Sequence, residues 1–147
     1  MHQQLAQPKR GLLRYAMDRH HELEDACREL RVDASHWDGL DASLREHMAA
    51  EEELIIPAFQ LSDPEEADEL RTEHAHLRAL LDEIGEHVHR HGVHAERLRR
   101  LDTALRAHAA REDASLYPWA EHHLPLVARR QVLLRISHWL RRRAATR

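Results

Sequence analysis

One pattern of residues occurs twice in the chain, at residues 47–57 (HMAAEEELIIP) and at residues 108–118 (HAAREDASLYP). Each copy places a histidine four residues before a glutamate and ten residues before a proline. The likeness extends upstream, where LDASLREH matches LDTALRAH, so the copies stand in register at an offset of 61 residues. Residues four apart share one face of an α-helix. The repeat therefore predicts two related helices that each present a histidine and a glutamate on the same face.

Apolar periodicity predicts two further helices that pair with the duplicated ones. Apolar residues recur at steps of three and four over residues 11–32, 37–59, 64–89 and 93–122, which is the period of an amphipathic helix. The pattern H-x-x-L begins at both His20 and His74, so the chain contains two copies of a helical hairpin. Pro57 is expected to kink or end the second helix. Four such helices joined by short turns predict an all-α, up-down four-helix bundle over about residues 11–122.

The same periodicity predicts which residues of the duplicated helices face the core. On the second helix the buried face is expected to continue past Glu51 through Leu54 and Ala58. On the fourth it is expected to continue past Glu112 through Ser115 and Trp119. Before the third helix, the sequence SDPEE places an aspartate, a proline and a glutamate where a capped helix start requires them.

A chain of 147 residues is the size of one domain, and a further basic amphipathic helix is expected at about residues 125–143. A single cysteine excludes an internal disulfide, and the first residues lack the apolar stretch of a signal peptide, so we expect a cytoplasmic protein. The longest apolar run, residues 54–59, is far too short to cross a bilayer. The arginine-rich face after residue 125 is expected to be solvated or to contact a protein partner such as a second copy. We expect no nucleic-acid or membrane partner.

The chain contains fifteen histidines, which makes a single H-x-x-x-[DE] motif uninformative. With 26 acidic residues present, chance alone gives roughly three such motifs, counted as for any periodic pattern. Four occur: His20/Glu24, His21/Asp25, His47/Glu51 and His108/Glu112. A motif is informative only where its histidine and its carboxylate both lie on the apolar face of the predicted helix, as at His47/Glu51 and His108/Glu112.

Six polar residues lie on the apolar faces of the four predicted helices. They are His20, His47, Glu51, His74, His108 and Glu112. Burying carboxylates and imidazoles without partners costs several kcal/mol for each ionised group. Metal ions compensate such a set, and four histidines with two carboxylates on four facing helices are the ligands of a dinuclear site inside a bundle. We therefore predict that these six residues bind metal.

This pattern resembles the hemerythrin-like family, the HHE cation-binding domain, over about residues 10–122. The resemblance rests on His20, on H-x-x-x-E at His47 and again at His108, on E-H-x-x-L around His74, and on the prolines that follow the two motifs. It implies a non-haem centre of two iron ions with an oxo or hydroxo bridge. The glutamates Glu51 and Glu112 would bridge the irons, and two histidines would bind each iron.

The sequence departs from the oxygen-carrying members of that family in two places. A second histidine of the third helix is replaced by Arg78, and the carboxylate of the fourth helix stands at Glu112 where the carriers place it one residue later, at Asp113. The internal repeat favours Glu112, with Asp113 as the alternative, and His21 and Glu24 are candidates for an additional ligand. The resulting set resembles bacterial proteins of oxidative and nitrosative stress and of iron-centre repair.

A set with one histidine fewer than the carriers leaves open positions on both irons. That favours reaction with, or sensing of, O2, NO or peroxide over reversible O2 carriage. An iron store or a metal-dependent sensor without turnover is the alternative, and the sequence does not decide whether the protein is an enzyme.

Other conspicuous residues are predicted to be structural. Cys27 is expected to pack in the core. Tyr15 and Tyr117 are expected to pack in the core or at its rim, with an approach to the metal centre as the alternative. Nine of the remaining eleven histidines are singled out as expected at the surface. They are His21, His76, His87, His89, His91, His94, His122, His123 and His138.

Overall fold

The computed structural model describes residues 11–29, 36–92 and 94–145, with side chains over 11–27, 36–92 and 94–136. This part of the chain forms helices and contains no strand. The helices are α1 (Leu12–Glu29), α2 (Trp37–Leu54), α3 (Ile56–Ser62), α4 (Pro64–His91), α5 (Ala95–Ala114), α6 (Leu116–His123) and α7 (Leu126–Ala145). The predicted end of the first helix, at residue 32, lies outside the described residues.

The start and end of α4 follow from its flanking residues. The carboxylate of Asp63 accepts a hydrogen bond from the backbone N–H of Glu66 at 3.1 Å, and Pro64 occupies the first helical position, as the sequence predicts. The helix runs to His91, two residues beyond the predicted end, and stops at Gly92. Gly92 has φ 73°, a left-handed conformation that glycine adopts without steric cost.

Each duplicated helix is interrupted shortly before its proline. The backbone breaks at Ile55 between α2 and α3, and at Ser115 between α5 and α6. Pro57 and Pro118 have no N–H to donate to the carbonyl four residues earlier, and their rings crowd that carbonyl. The predicted kink or end near Pro57 is confirmed, and the fourth helix, predicted over about 93–122, has the same break before its matching proline, Pro118.

These breaks change which residues are buried after them. Ile55 and Phe59 are buried where Leu54 and Ala58 were expected, and Leu116 and Ala120 are buried where Ser115 and Trp119 were expected. The predicted residues are only partly buried. In both segments the buried face moves by one residue, because the interrupted turn no longer advances at the 100° per residue of a continuous helix.

The helices form a four-membered bundle with one additional helix. The segment α1 packs against α5 and α6, α4 packs against α5, and α2 with α3 packs against α4 and α1. The additional helix α7 lies against α2 and α1. The predicted all-α bundle with a C-terminal helix is therefore confirmed.

Two apolar clusters fill the bundle, one toward each end. The first cluster lies among the end of α1, the start of α2, the end of α4 and the start of α5, and it contains Cys27, as predicted. The second cluster lies among the start of α1, α3, the start of α4, α6 and α7. Its side chains include Leu12, Ile55, Phe59, Leu70, Leu116, Tyr117, Val132 and Ile136.

The helix α7 is held by apolar contacts and by charge. Val132 and Ile136 are buried in the second cluster. The guanidinium of Arg135 donates to Glu46 at 2.7 Å and also pairs with Glu53, and both acceptors lie on α2. Within the described ranges, none of the helices combines the length and apolarity that a membrane crossing requires.

The burial of Ile136 predicts that α7 stabilises the whole bundle. Ile136→Ala should lower the free energy of unfolding by about 2–5 kcal/mol, because it opens a cavity in the second cluster. Urea denaturation followed by circular dichroism measures this change. The matched control is Val127→Ala on the same helix, where the side chain is 68% exposed and the change should stay within about 0.5 kcal/mol. Equal effects of the two substitutions would show that α7 does not contribute to the core.

Candidate metal centre

A layer of polar side chains separates the two apolar clusters. It consists of the six residues that the sequence singles out: His20, His47, Glu51, His74, His108 and Glu112. Each is at most 4% exposed. On α1, for example, His20 stands between the buried residues Ala16 and Leu23, one turn away on either side. The fold thus brings all six residues into one buried layer.

The six side chains form two overlapping groups that could each hold a metal ion. One group is His20, His47, Glu51 and Glu112, and the other is Glu51, His74, His108 and Glu112. Within each group one ligand atom per residue lies within 4.8 Å of the others. Both groups contain the same two glutamates, so the arrangement offers two neighbouring cation positions with shared carboxylates.

The distances place each glutamate between imidazoles of both groups. The Oε1 atom of Glu51 lies 3.3 Å from Nε2 of His47 and 3.7 Å from Nε2 of His74. The Oε1 atom of Glu112 lies 3.3 Å from Nε2 of His20 and 3.1 Å from Nε2 of His108. Nitrogen and oxygen ligands therefore converge on the space between the four helices.

Several of these inward atoms have no hydrogen-bond partner among the described residues. They are Oε1 of Glu51, both carboxylate oxygens of Glu112, and Nε2 of His74 and His108. A buried polar atom without a partner costs about 1–3 kcal/mol, and more when it is charged. Imidazole nitrogens and carboxylate oxygens are ligands of divalent transition metals. The donor set thus fits a metal site, because a cation would satisfy all of these atoms together.

The electrostatics of the layer also favour a cation. Burial and the negative charge of Glu112 raise the pKa of Glu51 well above its usual range. Burial acts to lower the pKa of His20, but the hydrogen bond to Asp113 and the nearby carboxylate of Glu112 raise it to about 9. Protons at such positions offset the buried negative charge, and a divalent cation takes over that role when it binds.

Three of the four histidines are oriented by a carboxylate at their outer nitrogen. The Nδ1–carboxylate pairs are His20 with Asp113 at 3.0 Å, His74 with Glu52 at 2.9 Å and His108 with Glu73 at 2.9 Å. A proton on Nδ1 leaves the lone pair of Nε2 directed into the layer. Such carboxylate–histidine pairs are typical of metal sites, where they fix the ring and raise its basicity.

Comparison with protein families agrees with this geometry. The family model of the hemerythrin HHE cation-binding domain matches residues 9–120 and, in a second register, residues 66–146. The chain belongs to the hemerythrin HHE cation-binding family. The first match covers most of the bundle, and the buried histidine and glutamate groups fit the cation binding that the family description names. No curated protein and no solved structure matches the chain.

Arg78, one turn after His74 on α4, holds an outer carboxylate of the layer. The guanidinium donates to both oxygens of Glu52 at 2.7 Å, and Glu52 in turn faces His74. Arg111 is placed similarly, because it donates to Glu73 at 3.1 Å. These two arginines connect the outer carboxylates to the partly exposed surface of this HHE domain.

The alternative and additional ligands of the family pattern lie outside the two groups. Asp113 faces the outer nitrogen of His20, while Glu112 points into the layer. His21 is 69% exposed and lies 3.6 Å from Glu24, away from the converging ligands. The other histidines expected at the surface are exposed or half-buried, except His138, whose side chain lies outside the described residues.

Tyr117 is buried and also belongs to the site, which is the alternative that the sequence leaves open for this residue. Its buried hydroxyl donates to Oε2 of Glu51 at 2.8 Å, and its ring meets His20 edge-on at 5.8 Å between centroids. Burial raises the pKa of Tyr117, so the phenol remains a donor. Continuous-helix periodicity favours the packing role, because it points Tyr117 away from the face of Glu112, and the break at Ser115 changes that phase. The roles of Glu52 and Glu73 escaped prediction, although each is adjacent in sequence to a predicted ligand.

The contact between Tyr117 and Glu51 predicts a stability change in the metal-free protein. Tyr117→Phe should lower the free energy of unfolding by about 1–3 kcal/mol, because a buried carboxyl oxygen loses its donor. The control is Ser62→Ala, which removes the acceptor of an exposed hydrogen bond from Trp119 and should cost less than about 0.5 kcal/mol. Chemical denaturation in the presence of a chelator measures both. A loss for Tyr117→Phe no larger than the control would contradict the role of this hydrogen bond.

Proposed function

We propose that the chain binds two iron ions in the polar layer and that the loaded centre reacts with O2, NO or peroxide. His20 and His47 would bind one iron, His74 and His108 the other, and the two shared glutamates would bridge them. The observation that carries the proposal is the pair of overlapping four-residue groups with Glu51 and Glu112 in common. Two separate mononuclear sites would not need to share both carboxylates.

The chemistry of the donors supports iron. A mixture of imidazole and carboxylate suits iron and manganese, whereas zinc and copper sites frequently recruit thiolates. The single cysteine, Cys27, lies in the first apolar cluster and away from the layer. When bound, iron supplies Lewis-acid and redox chemistry that no side chain of the layer provides.

The number of protein ligands favours reactivity. Two histidines and two shared carboxylates give each metal about four protein donors, which leaves about two of six octahedral positions for water or a small ligand. Arg78 does not fill this gap, since its guanidinium is engaged with Glu52. We therefore infer that both metals can accept a small molecule. Open positions on both metals suit reaction with a small molecule better than reversible O2 carriage.

The surroundings of the layer favour a small reactant over an organic substrate. Apolar clusters close the layer toward both ends of the bundle. A groove of about 600 Å³ between α4 and α5 reaches Glu73 and His108, and its lining combines apolar side chains such as Leu77 and Leu80 with charged ones such as Glu96 and Arg100. We propose this groove as the approach for diatomic molecules and peroxide. Tyr117 supplies a hydroxyl donor on the opposite side, where it fixes Glu51.

A metal-dependent sensor or an iron store is the second candidate. The contacts of α7 favour a sensor, because Arg135 binds Glu46 and Glu53 on α2. These acceptors immediately flank the segment that carries His47 and Glu51. A change of ligand at the metals would therefore alter the contact between α2 and α7.

Metal loading tests the binding part of the proposal. Protein purified without a tag and reconstituted with Fe(II) should hold about two metals per chain, and chelation should lower its melting temperature, because binding is coupled to folding. Glu112→Ala should reduce the metal content, since it removes a ligand of both groups. Glu24→Ala is the control, because Glu24 lies outside both groups. Fewer than about one metal per chain in the wild type, with a melting temperature insensitive to chelator, would refute metal binding.

Rapid mixing distinguishes a reactive centre from a store or sensor. The reduced, iron-loaded protein is mixed with excess peroxide or NO, and consumption of the small molecule is followed together with the absorption of the centre. Consumption of many equivalents per chain is the expected result for a catalyst, and a single stoichiometric oxidation would support the store or sensor. His74→Ala should slow either reaction because it removes a ligand. An absorption spectrum that does not respond to any of the three small molecules would exclude reactivity.

A further inference from the structure

The outer carboxylates of the layer follow a rule that holds at three of the four histidines. Each carboxylate reaches from one helix to the histidine of a neighbouring helix. The three connections run from Glu52 on α2 to His74 on α4, from Glu73 on α4 to His108 on α5, and from Asp113 on α5 to His20 on α1. A fourth connection, from α1 to His47 on α2, would complete the circle.

His47 is the exception to this rule. Its Nδ1 atom is buried and has no hydrogen-bond partner among the described residues. The charges of His20 and Arg19 both lie near enough to act on its ring. His47 is therefore held in an environment that differs from that of the other ligands.

The internal repeat shows which residue stands in place of the fourth carboxylate. The offset of 61 residues that relates His47 to His108 also relates Glu52 to Asp113. The first and third helices are related by the offset of 54 residues between His20 and His74, and this offset pairs Glu73 with position 19. That position holds Arg19, a 2% exposed residue whose guanidinium donates to Glu22 at 2.6 Å. The positively charged Arg19 thus stands at the position where the internal repeat would place a carboxylate.

The presence of Arg19 in place of a carboxylate affects how tightly the position beside His47 binds metal. A carboxylate at Nδ1 fixes the ring, selects the tautomer with a lone pair on Nε2 and strengthens the imidazole as a ligand. His47 has no such carboxylate among the described residues, and the positive charge of Arg19 opposes the arrival of another cation beside it. Both histidines of the other group, His74 and His108, have their carboxylates.

We propose that the two metal positions are unequal: the His74/His108 position binds first and tightly, and the His20/His47 position binds second and weakly. This inference rests on the proposed binding of two metals in the layer. Loss of an outer partner typically weakens metal binding about 10- to 100-fold, so the two dissociation constants should differ by at least about tenfold. The dinuclear centre then forms only when the metal supply exceeds the weaker constant, and a one-metal form exists below it.

Titration with Co(II) tests the inequality, because Co(II) is readily followed by its visible absorption. The metal-free full-length protein is titrated in competition with a chromophoric chelator. Two steps separated by at least about tenfold are expected. His47→Ala should abolish the weaker step and keep the tighter one, while His108→Ala should remove the tighter step.

Charge reversal at Arg19 provides the decisive variant. Arg19→Glu should strengthen the weaker step about tenfold and leave the tighter step within about threefold, because it supplies the missing carboxylate. The matched control is Arg14→Glu on the same helix, where the side chain is 62% exposed and neither step should change. If Arg19→Glu does not fold, Glu73→Gln serves as the second variant. It should bring the two dissociation constants closer together by weakening the tighter step about tenfold.

The outcomes separate this inference from the proposed function. Two equal constants in the wild type would overturn the inequality and leave dinuclear binding intact. A weaker step that is unchanged in folded Arg19→Glu, or a tighter step that is unchanged in Glu73→Gln, would overturn the assignment of the inequality to the outer carboxylates and Arg19. No binding of Co(II) or Fe(II) by the wild type would instead overturn the proposed metal centre itself.

Discussion

The architecture depends on the interaction between two buried carboxylates and the four imidazoles around them. Glu51 and Glu112 are completely shielded from solvent, and each lies within 4 Å of histidines from both groups. Removing two carboxylates from water is costly unless cations or donors replace the lost hydration. A bundle stabilised only by apolar packing would place leucines at these positions. The layer therefore lowers the stability of the metal-free bundle and is explained by what it binds.

The free-energy cost of burying this layer is limited because its charged groups are linked to partly exposed carboxylates and arginines. Each outer carboxylate is partly exposed, so it keeps some hydration while it orients a buried imidazole. Arg78 and Arg111 then hold two of these carboxylates at the surface. Chains of guanidinium, carboxylate and imidazole thus lead from solvent to the centre on two sides. They fix the direction of the Nε2 lone pairs of His74 and His108 before any metal arrives, which lowers the ordering cost of binding.

The sequence was sufficient for the helices, their pairing into a bundle and the six residues of the layer. That part is predictable because His47 and His108 repeat in register and lie at helical spacing from apolar neighbours. The contact of Tyr117 with Glu51 and the burial of Ile55 and Leu116 were not predictable, because a proline shows that a helix is disturbed but not at which residue the turn is interrupted. Glu52 was missed for a different reason: a residue next to a ligand points away from the helix's own core, and only the packing of α2 beside α4 reveals that it meets His74.

The two hairpins are copies, yet the halves of the site have diverged in ways that reinforce one another. The half with His74 and His108 has both outer carboxylates and adjoins the groove between α4 and α5. The half with His20 and His47 lies on α1 and α2, which are the helices that α7 covers. Arg19 adds a buried positive charge on that side. A duplicated hairpin alone would give two equivalent metal positions. With two metals bound as proposed, the added helix and the exchange of charge at position 19 would make the His74/His108 position open and tightly binding, and would make the His20/His47 position enclosed and dependent on the contacts of α2.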